Sequence, residues 1–229
     1  MSLRKRIEKS AAFSGVFGTA VTRYLALCDR TTSWQVEGRE DLVDALSEGP
    51  VLMMMWHSRM GMGARHWPDT DAPASSLHNR SPLGRISGVM QRQEGLTPFE
   101  MSRRKPNLAT SRQVMKRYRQ GISIVMTGDG PHGPPHKLQA APVEWAYRMN
   151  APIFAYAYAT TRGYRANSWD RFLLPYPFGT GAQVFARYRP PRTRPPAPNN
   201  LAALALSLEV LLDETTARAD MLVGLPPGP

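Results

Sequence analysis

The sequence predicts a single α/β domain with a mostly parallel sheet covered by helices. Two apolar runs, 50–56 and 122–128, end abruptly in polar side chains, as buried strands do at the carboxyl edge of a parallel sheet. Segments of helical periodicity alternate with these runs, which favours an α/β fold over a helix bundle or a β-sandwich. At 229 residues the chain is long enough for one sizeable core.

The N-terminal segment, 1–30, is predicted to be an amphipathic helix. Its apolar positions recur at helical spacing behind a cationic cluster at Arg4, Lys5, Arg6 and Lys9. Such a helix can lie on an anionic membrane surface as a peripheral anchor. Two alternatives stay open: the stripe packs on its own domain, or the segment is a signal peptide. The stripe consists of Phe13, Val16, Phe17, Ala20, Val21, Tyr24 and Leu25.

The remaining chain is divided into an α/β domain over 31–190 and a C-terminal part over 191–229, with a proline-rich connector and a last helix that packs on the domain. Turn signals at Gly and Pro and the apolar spacing mark the element boundaries. Because 182–188 alternates in polarity, we expect it at a sheet edge. The predicted strands are 33–38, 50–56, 75–79, 95–101, 122–128, 153–160 and 182–188. The predicted helices are 39–46, 57–68, 82–92, 107–121, 138–150 and one beginning after Asn199 or Asn200.

The composition of the chain indicates which classes of binding partner to expect. The formal net charge of +11 favours anionic partners such as lipid headgroups or phosphorylated substrates. Nucleic acid is not expected, because no stacking aromatic run accompanies the basic residues. Cys28 is the only cysteine, which excludes an internal disulfide and a multi-cysteine metal site.

No metal site is expected either. His132 and His136 have the i, i+4 spacing of a helical zinc pair, but Pro134 and Pro135 between them forbid that helix. The glycine patterns of nucleotide-binding loops and of serine hydrolases are also missing.

The polar ends of the two apolar runs supply the candidate chemistry. His57 is a candidate general base, because a neutral imidazole takes a proton from an alcohol near pH 7 without a metal. In the second patch, Gly130 and Gly133 leave the backbone bare, so the loop after Asp129 can present N–H groups or let a substrate approach. The alternative for His57 is a structural histidine at a strand end.

Four motifs in order resemble the lysophospholipid acyltransferase superfamily, in a bacterial branch long filed as a domain of unknown function. The resemblance covers about residues 50–190. The motifs are Trp56-His57-Ser58-Arg59, then Thr127-Gly128-Asp129-Gly130-Pro131-His132-Gly133-Pro134, then Ala151-Pro152-Ile153, and Asn167-Ser168-Trp169-Asp170-Arg171-Phe172.

The resemblance implies transfer of a fatty acyl chain to a hydroxyl of a lysophospholipid or a related glycolipid precursor, at the cytoplasmic face of the inner membrane. The donor would be an acyl-CoA or acyl-carrier-protein thioester, with no further cofactor. His57 would be the base, and Asp129 would lie where the family binds its acceptor. The implied substrate-binding residues are Arg59, Arg103, Arg104, Gly130, Pro131 and Gly133.

Met62 departs from the family pattern, because the mainstream enzymes have an aspartate five residues after the histidine. His57 therefore needs another orienting carboxylate, and we expect Asp129 to supply it. Gly128 also replaces the proline usual before the aspartate. A non-catalytic lipid- or anion-binding protein on an acyltransferase scaffold is the alternative. The acceptor, the acyl length and the oligomeric state stay open.

Overall fold

The computed structural model describes residues 11–101, 108–189 and 201–229. Its α-helices are α1 (Ala11–Thr31), α2 (Arg39–Glu48), α3 (Pro82–Gln93), α4 (Leu108–Arg119), α5 (Ala140–Met149) and α6 (Leu201–Leu222). Its strands are β1 (Ser33–Glu37), β2 (Leu52–Met55), β3 (Ala74–His78), β4 (Phe99–Glu100), β5 (Ser123–Thr127), β6 (Ile153–Thr160), β7 (Gly163–Arg165), β8 (Leu173–Pro175) and β9 (Thr180–Arg187).

Seven strands form the central sheet in the order β1-β9-β6-β2-β5-β3-β4, and β7 pairs with β8 in a separate hairpin. Strands β6, β2, β5, β3 and β4 pair in parallel, whereas β9 pairs antiparallel with β6 and parallel with β1. The prediction of a single α/β domain with a mostly parallel sheet is confirmed.

Strands β2 and β5 are neighbours in this sheet. Met55 lies opposite Thr127 at their carboxyl ends, and the Gly128 amide donates to the Met55 carbonyl across 2.9 Å. The two polar patches that follow these strands therefore meet at one sheet edge.

The core has a layer on each face of the sheet, because successive side chains of a strand point to opposite faces. Met53 and Met55 of β2 pack with Leu25 of α1 and Leu42 of α2 on one face. On the other face lie Leu52 and Met54, with the apolar residues of α4, α5 and α6: Val114, Trp145, Leu208 and Leu212. Burial on both faces explains why β2 reads as a continuous apolar run.

Some predicted elements were wrong in position or length. Strand β9 lies between β1 and β6 instead of at an edge, because it pairs with a strand on each side. The segment after β2 is a short 3₁₀ helix, His57–Met62, followed by turns, and not a helix to Pro68. Strand β4 has two residues only, beginning directly after Pro98.

Helix α1 packs along α3 in its first half and on the core in its second half. Gly18 permits the close approach of α3, since an added Cβ would lie 2.8 Å from Val89. Leu25 is buried in the core, but Val16 and Phe17 are 75% and 46% exposed. Among the described helices none has the length and apolarity that crossing a bilayer requires.

Two parts of the C-terminal prediction differ in outcome. Helix α6 packs on β6 and β9, as predicted for the last helix. The proline-rich connector and the candidate helix cap at Asn199 or Asn200 lie outside the described residues.

Candidate active site

His57 is held at the sheet edge by its backbone. It opens the 3₁₀ helix directly after β2, and its main-chain N–H donates to Oδ1 of Asp129 across 2.9 Å. The preceding Trp56 is fully buried, and its indole N–H donates to Asp213 of α6 at 2.9 Å. Asp129 lies in the loop after the neighbouring strand β5, and Asp213 lies on α6. The two contacts therefore fix the main chain at the start of the 3₁₀ helix, from which the imidazole extends.

The imidazole is oriented by Asp170. His57 Nδ1 lies 2.6 Å from Oδ2 of Asp170. A carboxylate only accepts, so Nδ1 carries the hydrogen, and in the neutral imidazole Nε2 keeps its lone pair. None of the described residues forms a hydrogen bond with Nε2, and the side chain is 20% exposed. A substrate hydroxyl can therefore reach the basic nitrogen.

Asp170 is itself buried and held in place. Burial alone would raise the pKa of its carboxyl, but hydrogen bonds from Ser168 and His57 bring the pKa below its ordinary value. The Ser168 hydroxyl lies 2.5 Å from Oδ1 of Asp170. The carboxylate thus stays ionised at neutral pH, as an orienting group must.

Asp129 has a different role from the predicted one. We expected its carboxylate to orient the His57 ring, but it accepts a hydrogen bond from the His57 main-chain N–H. The ring is oriented by Asp170 instead. Burial raises the pKa of Asp129 to about 6, although the His57 hydrogen bond opposes the rise. The correction has a physical reason: the ring extends away from β5 toward the loop between β7 and β8.

The loop after Asp129 is shaped by glycines in the left-handed region. Gly130 and Gly133 both have φ of 67°, which favours glycine. An added Cβ at Gly133 would lie 2.6 Å from the ring of Trp169. That ring is tilted against the His57 imidazole, with 5.3 Å between centroids. Pro131, which lies between Gly130 and Gly133 in the chain, is partly buried. Because Trp169 contacts both Gly133 and His57, the loop, Trp169 and His57 form one wall of the site.

Helix α6 fastens the far end of this loop. His136 stacks on the Trp56 indole at 5.0 Å, and its Nδ1 lies 2.7 Å from Oδ1 of Asp213. The Leu138 amide donates to Glu209 one helical turn earlier, across 2.9 Å. His136 has φ of 57° and lies outside any helix, so its spacing from His132 does not form a helical pair.

Arg59 does not reach the substrate side of the site. Its side chain is fully buried, and both terminal nitrogens bind Asp220 of α6, at 2.8 and 2.6 Å. It also donates to the Tyr158 carbonyl. The predicted substrate-binding role of Arg59 is therefore wrong, because the pair with Asp220 ties the 3₁₀ helix to α6 instead. Arg103 and Arg104 lie outside the described residues.

Met62 is explained by its surroundings. Its side chain is fully buried in the core on the face covered by α1 and α2. A carboxylate here would lose its hydration inside an apolar cluster. Position 62 is thus unsuited to orient His57 in this chain, and Asp170 takes that role from another part of the fold.

Sequence reasoning missed Asp170, Ser168 and Trp169 as site residues. The signal was present, because all three belong to the motif that contributed to the family resemblance. Their role was hidden because Asp170 is 113 residues from His57 in the chain. Spacing along the chain carries no information about a contact of this kind.

No family model matches the chain. It is similar to the uncharacterized protein RP090 of Rickettsia prowazekii (strain Madrid E), with 28% identity over 143 residues. That match covers 59% of this chain and 62% of the relative. The chain thus spans less than two thirds of that relative, whose printed name assigns no activity.

Proposed function

We propose that this protein is an O-acyltransferase that moves a fatty acyl chain from an acyl-CoA or acyl-carrier-protein thioester to a hydroxyl of a lysophospholipid or related glycolipid precursor. One observation carries the proposal: Asp170 binds Nδ1 of the partly exposed His57 ring at the carboxyl edge of the sheet, and Nε2 has no hydrogen-bond partner among the described residues. Open α/β sheets bind their substrates at this edge. The motif resemblance selects acyl transfer from the reactions that such a base supports.

The proposed reaction needs one base and no metal. The acceptor hydroxyl gives its proton to Nε2 of His57 while its oxygen attacks the thioester carbonyl carbon. Asp170 stabilises the imidazolium that forms, as the carboxylate of a catalytic triad does. The tetrahedral intermediate then collapses, the carbon–sulfur bond breaks, and the imidazolium returns the proton to the leaving thiolate. The products are an ester and a free thiol.

The loop after Asp129 is the candidate for binding the developing oxyanion. The N–H groups of Gly130 and Gly133 donate to no described residue, so they are available to a substrate oxygen. The left-handed backbone at both positions makes their conformation depend on glycine. Trp169 packs against Gly133 and supports this side of the loop.

The scaffold alternative loses its main support. It rests on Met62, which takes the place of the family's aspartate five residues after His57. Asp170 occupies that role at 2.6 Å from Nδ1 of the ring, and a carboxylate that orients an imidazole at the sheet edge where substrates bind is typical of a functional site. These contacts favour catalysis over a relic that only binds lipid.

Membrane association is the second part of the proposal, with the protein peripheral at the cytoplasmic face of the inner membrane. Val16 and Phe17 present apolar side chains on the outer surface of α1. The Tyr24 hydroxyl donates to the Pro175 carbonyl at 2.8 Å, which joins α1 to β8. Since β8 follows the loop that carries Asp170, this contact connects α1 to the segment that orients the base.

The first prediction concerns the two residues of the dyad. We expect His57→Ala to lower the rate of acyl transfer by about 100- to 10,000-fold, the usual contribution of a general base. Asp170→Asn should cause a comparable loss, because an amide permits the tautomer with hydrogen on Nε2. The assay follows release of free thiol from an acyl thioester with a mixture of lysophospholipid acceptors.

The matched control is Asp71→Asn, which removes an exposed carboxylate in the loop before β3. Its rate should equal that of the wild type, and circular dichroism should show that all three variants are folded. Unchanged rates in folded His57→Ala would exclude the proposed mechanism. A wild-type protein that releases no thiol with any acceptor would favour the binding scaffold.

A further inference from the structure

Trp169 is a large aromatic side chain at the candidate site to which the proposed reaction assigns no step. It is 38% exposed, whereas Trp56 and Trp145 are 0% and 6% exposed in the core. Those two indoles also donate their N–H groups, to Asp213 and to Ser111. The indole N–H of Trp169 has no hydrogen-bond partner within the described ranges. Trp169 is therefore no core residue, and the position of its side chain depends on what its ring contacts.

The first ring contact of Trp169 is with the base. The indole is tilted by 46° against the His57 imidazole, with 5.3 Å between the ring centroids. Asp170 binds Nδ1 of that imidazole at 2.6 Å, but a single hydrogen bond tolerates a range of angles. The tilt of the imidazole therefore also depends on the aromatic ring that packs against it.

The second ring contact is with the loop after Asp129. A Cβ built on Gly133 would lie 2.6 and 2.7 Å from Cε3 and Cζ3 of Trp169, and the next nearest atom is the Pro135 nitrogen at 3.2 Å. The main chain of the loop thus lies directly against the benzene edge of the indole. Because only glycine leaves room for this approach, a larger residue at position 133 would press on the ring.

The turn that carries Trp169 also carries Asp170. The Ser168 hydroxyl lies 2.5 Å from Oδ1 of Asp170, and the Arg171 amide donates to the Ser168 carbonyl at 3.1 Å. Arg171 has φ of 52°, in the left-handed region that residues other than glycine rarely adopt. Such a conformation is kept where surrounding contacts over-determine it, most often at functional sites. One closed turn thus fixes the main chain of both the carboxylate that binds His57 and the indole that packs against it.

We infer that Trp169 is a positioning residue, a spacer that sets the distance between the His57 imidazole and the loop after Asp129. The proposed reaction needs both sides of this spacer at once, because the base takes a proton while the loop amides bind the oxyanion. A misplacement of about 1 Å between such groups can lower a rate by about 100-fold. The inference rests on the proposed function for the rate measurements only, since the coupling of the loop to the imidazole can be measured without a substrate.

The kinetic test compares Trp169→Ala with Trp169→Phe. Trp169→Ala removes the spacer. We expect its kcat to fall by about 10- to 100-fold while KM changes by less than about twofold, because the ring acts on the arrangement of the reacting groups in the transition state. Trp169→Phe keeps an aromatic ring and should recover most of kcat. A raised KM at unchanged kcat in Trp169→Ala would mean that the ring only binds substrate, and would overturn the inference.

A matched pair of loop substitutions tests the spacer from its other side. Gly133→Ala and Gly130→Ala strain the main chain alike, because both glycines have φ of 67°. Only Gly133→Ala presses on Trp169, since a Cβ on Gly130 would meet the Gln139 side chain, at 3.3 Å. Each substitution is made in the wild type and in Trp169→Ala.

The two glycine substitutions should differ in how they depend on Trp169. We expect the loss of kcat caused by Gly133→Ala to be smaller by about threefold or more in Trp169→Ala than in the wild type, as for residues in contact. Gly130→Ala should lower kcat by the same factor in both, within about twofold, as for independent sites.

Proton NMR of the imidazole gives a readout that needs no substrate. The ring current of Trp169 shifts the signals of the His57 ring protons, which are assigned by their absence in His57→Ala. We expect Gly133→Ala to move these signals when Trp169 is present and to leave them in place in Trp169→Ala. Gly130→Ala should have the same effect with and without the indole.

Each pattern of results decides one of the two proposals. Effects of Gly133→Ala that are equal with and without Trp169, in kcat and in the NMR signals, would overturn the spacer. Coupling in the NMR signals without coupling in kcat would also overturn it, because the contact would then have no role in the reaction. A wild type that transfers no acyl group, although Gly133→Ala moves the His57 signals only through Trp169, would overturn the proposed function alone.

Discussion

At the scale of single residues, the site contains two aspartates in opposite situations. Hydrogen bonds from Ser168 and His57 bring the pKa of Asp170 below its ordinary value despite burial. Asp129 accepts a main-chain N–H, and burial raises its pKa to about 6. Two carboxylates near one imidazole thus differ because their partners differ.

The raised pKa of Asp129 makes a prediction about stability. The folded protein holds this proton more tightly than the unfolded chain, whose aspartates titrate at about 3.9. The protonated Asp129 therefore makes its full contribution to the free energy of unfolding below about pH 4, and this contribution is lost as the pH rises through about 6. Asp129→Asn avoids that loss and keeps an oxygen for the His57 N–H. It should be more stable than the wild type by about 3 kcal/mol at pH 7.5, and by only about 1 kcal/mol at pH 4.5.

Urea unfolding of both proteins at the two pH values measures this difference. Asp71→Asn, the exposed control, accounts for the general effect of removing one carboxylate. A stability difference that is the same at both pH values would contradict the assignment of the raised pKa to Asp129. A wild type more stable than Asp129→Asn at pH 7.5 would contradict it as well.

At the scale of elements, tight turns decide how the helices meet the sheet. Gly38 precedes α2 with φ of 73°, and an added Cβ would lie 1.9 Å from the Phe185 carbonyl oxygen of β9. The turn between β1 and α2 therefore needs glycine for two reasons, the backbone angle and the close approach of β9. Gly38 thus allows the end of β1 to lie close to the neighbouring strand β9.

Gly38→Ala is expected to lower the free energy of unfolding by about 3 kcal/mol or more, since the backbone of β9 must shift. Gly95→Ala is the matched control, because Gly95 has φ of 86° and nothing within 4 Å of an added Cβ. It should lose about 1 kcal/mol from backbone strain alone. Equal losses measured by chemical denaturation would show that the contact with Phe185 contributes nothing.

A buried polar group also joins three elements on the α1 side. His66 lies 2.6 Å from the Tyr156 hydroxyl of β6 and 3.3 Å from Asp29 near the end of α1. Arg65 extends this group to Glu94 at the end of α3, at 2.6 Å. Burial lowers the pKa of His66, although Asp29 opposes the shift. These contacts fasten the second half of α1 to the domain, whereas its first half packs along α3 and exposes Val16 and Phe17 on its outer face.

At the scale of the whole molecule, the exposed face of α1 leads to a prediction about membrane binding. Replacing Val16 and Phe17 together by serine removes two exposed apolar side chains. We expect binding to vesicles of mixed neutral and anionic lipid to fall by about tenfold or more, from the apolar area that no longer enters the interface. Co-sedimentation with such vesicles measures the change.

Leu206→Ser is the control for this experiment, since Leu206 is 62% exposed on α6. It should bind vesicles as the wild type does. Equal binding by the Val16/Phe17 variant and the wild type would exclude α1 as the membrane contact. High salt should weaken the binding of all variants, because the net charge of +11 is screened.

Much of the architecture was predictable because its signals are local. The apolar runs before His57 and Asp129 gave strands β2 and β5, and the helical spacing gave α3 and α4 within a few residues. The prediction that strand β9 lies at an edge was wrong, because an alternating pattern does not reveal whether a strand pairs on one side or on both.

The sequence alone determined that this chain forms a mostly parallel α/β sheet and that His57 and the Asp129 loop meet at its carboxyl edge. Only the tertiary structure decided which carboxylate serves the imidazole and whether Arg59 is exposed. The physical reason is the separation along the chain over which each kind of interaction acts. Strand and helix periodicity arise between residues a few positions apart, whereas Asp170 and Asp220 lie 113 and 161 residues from their partners. Those contacts exist because the sheet order, the β7–β8 loop and α6 bring distant segments together.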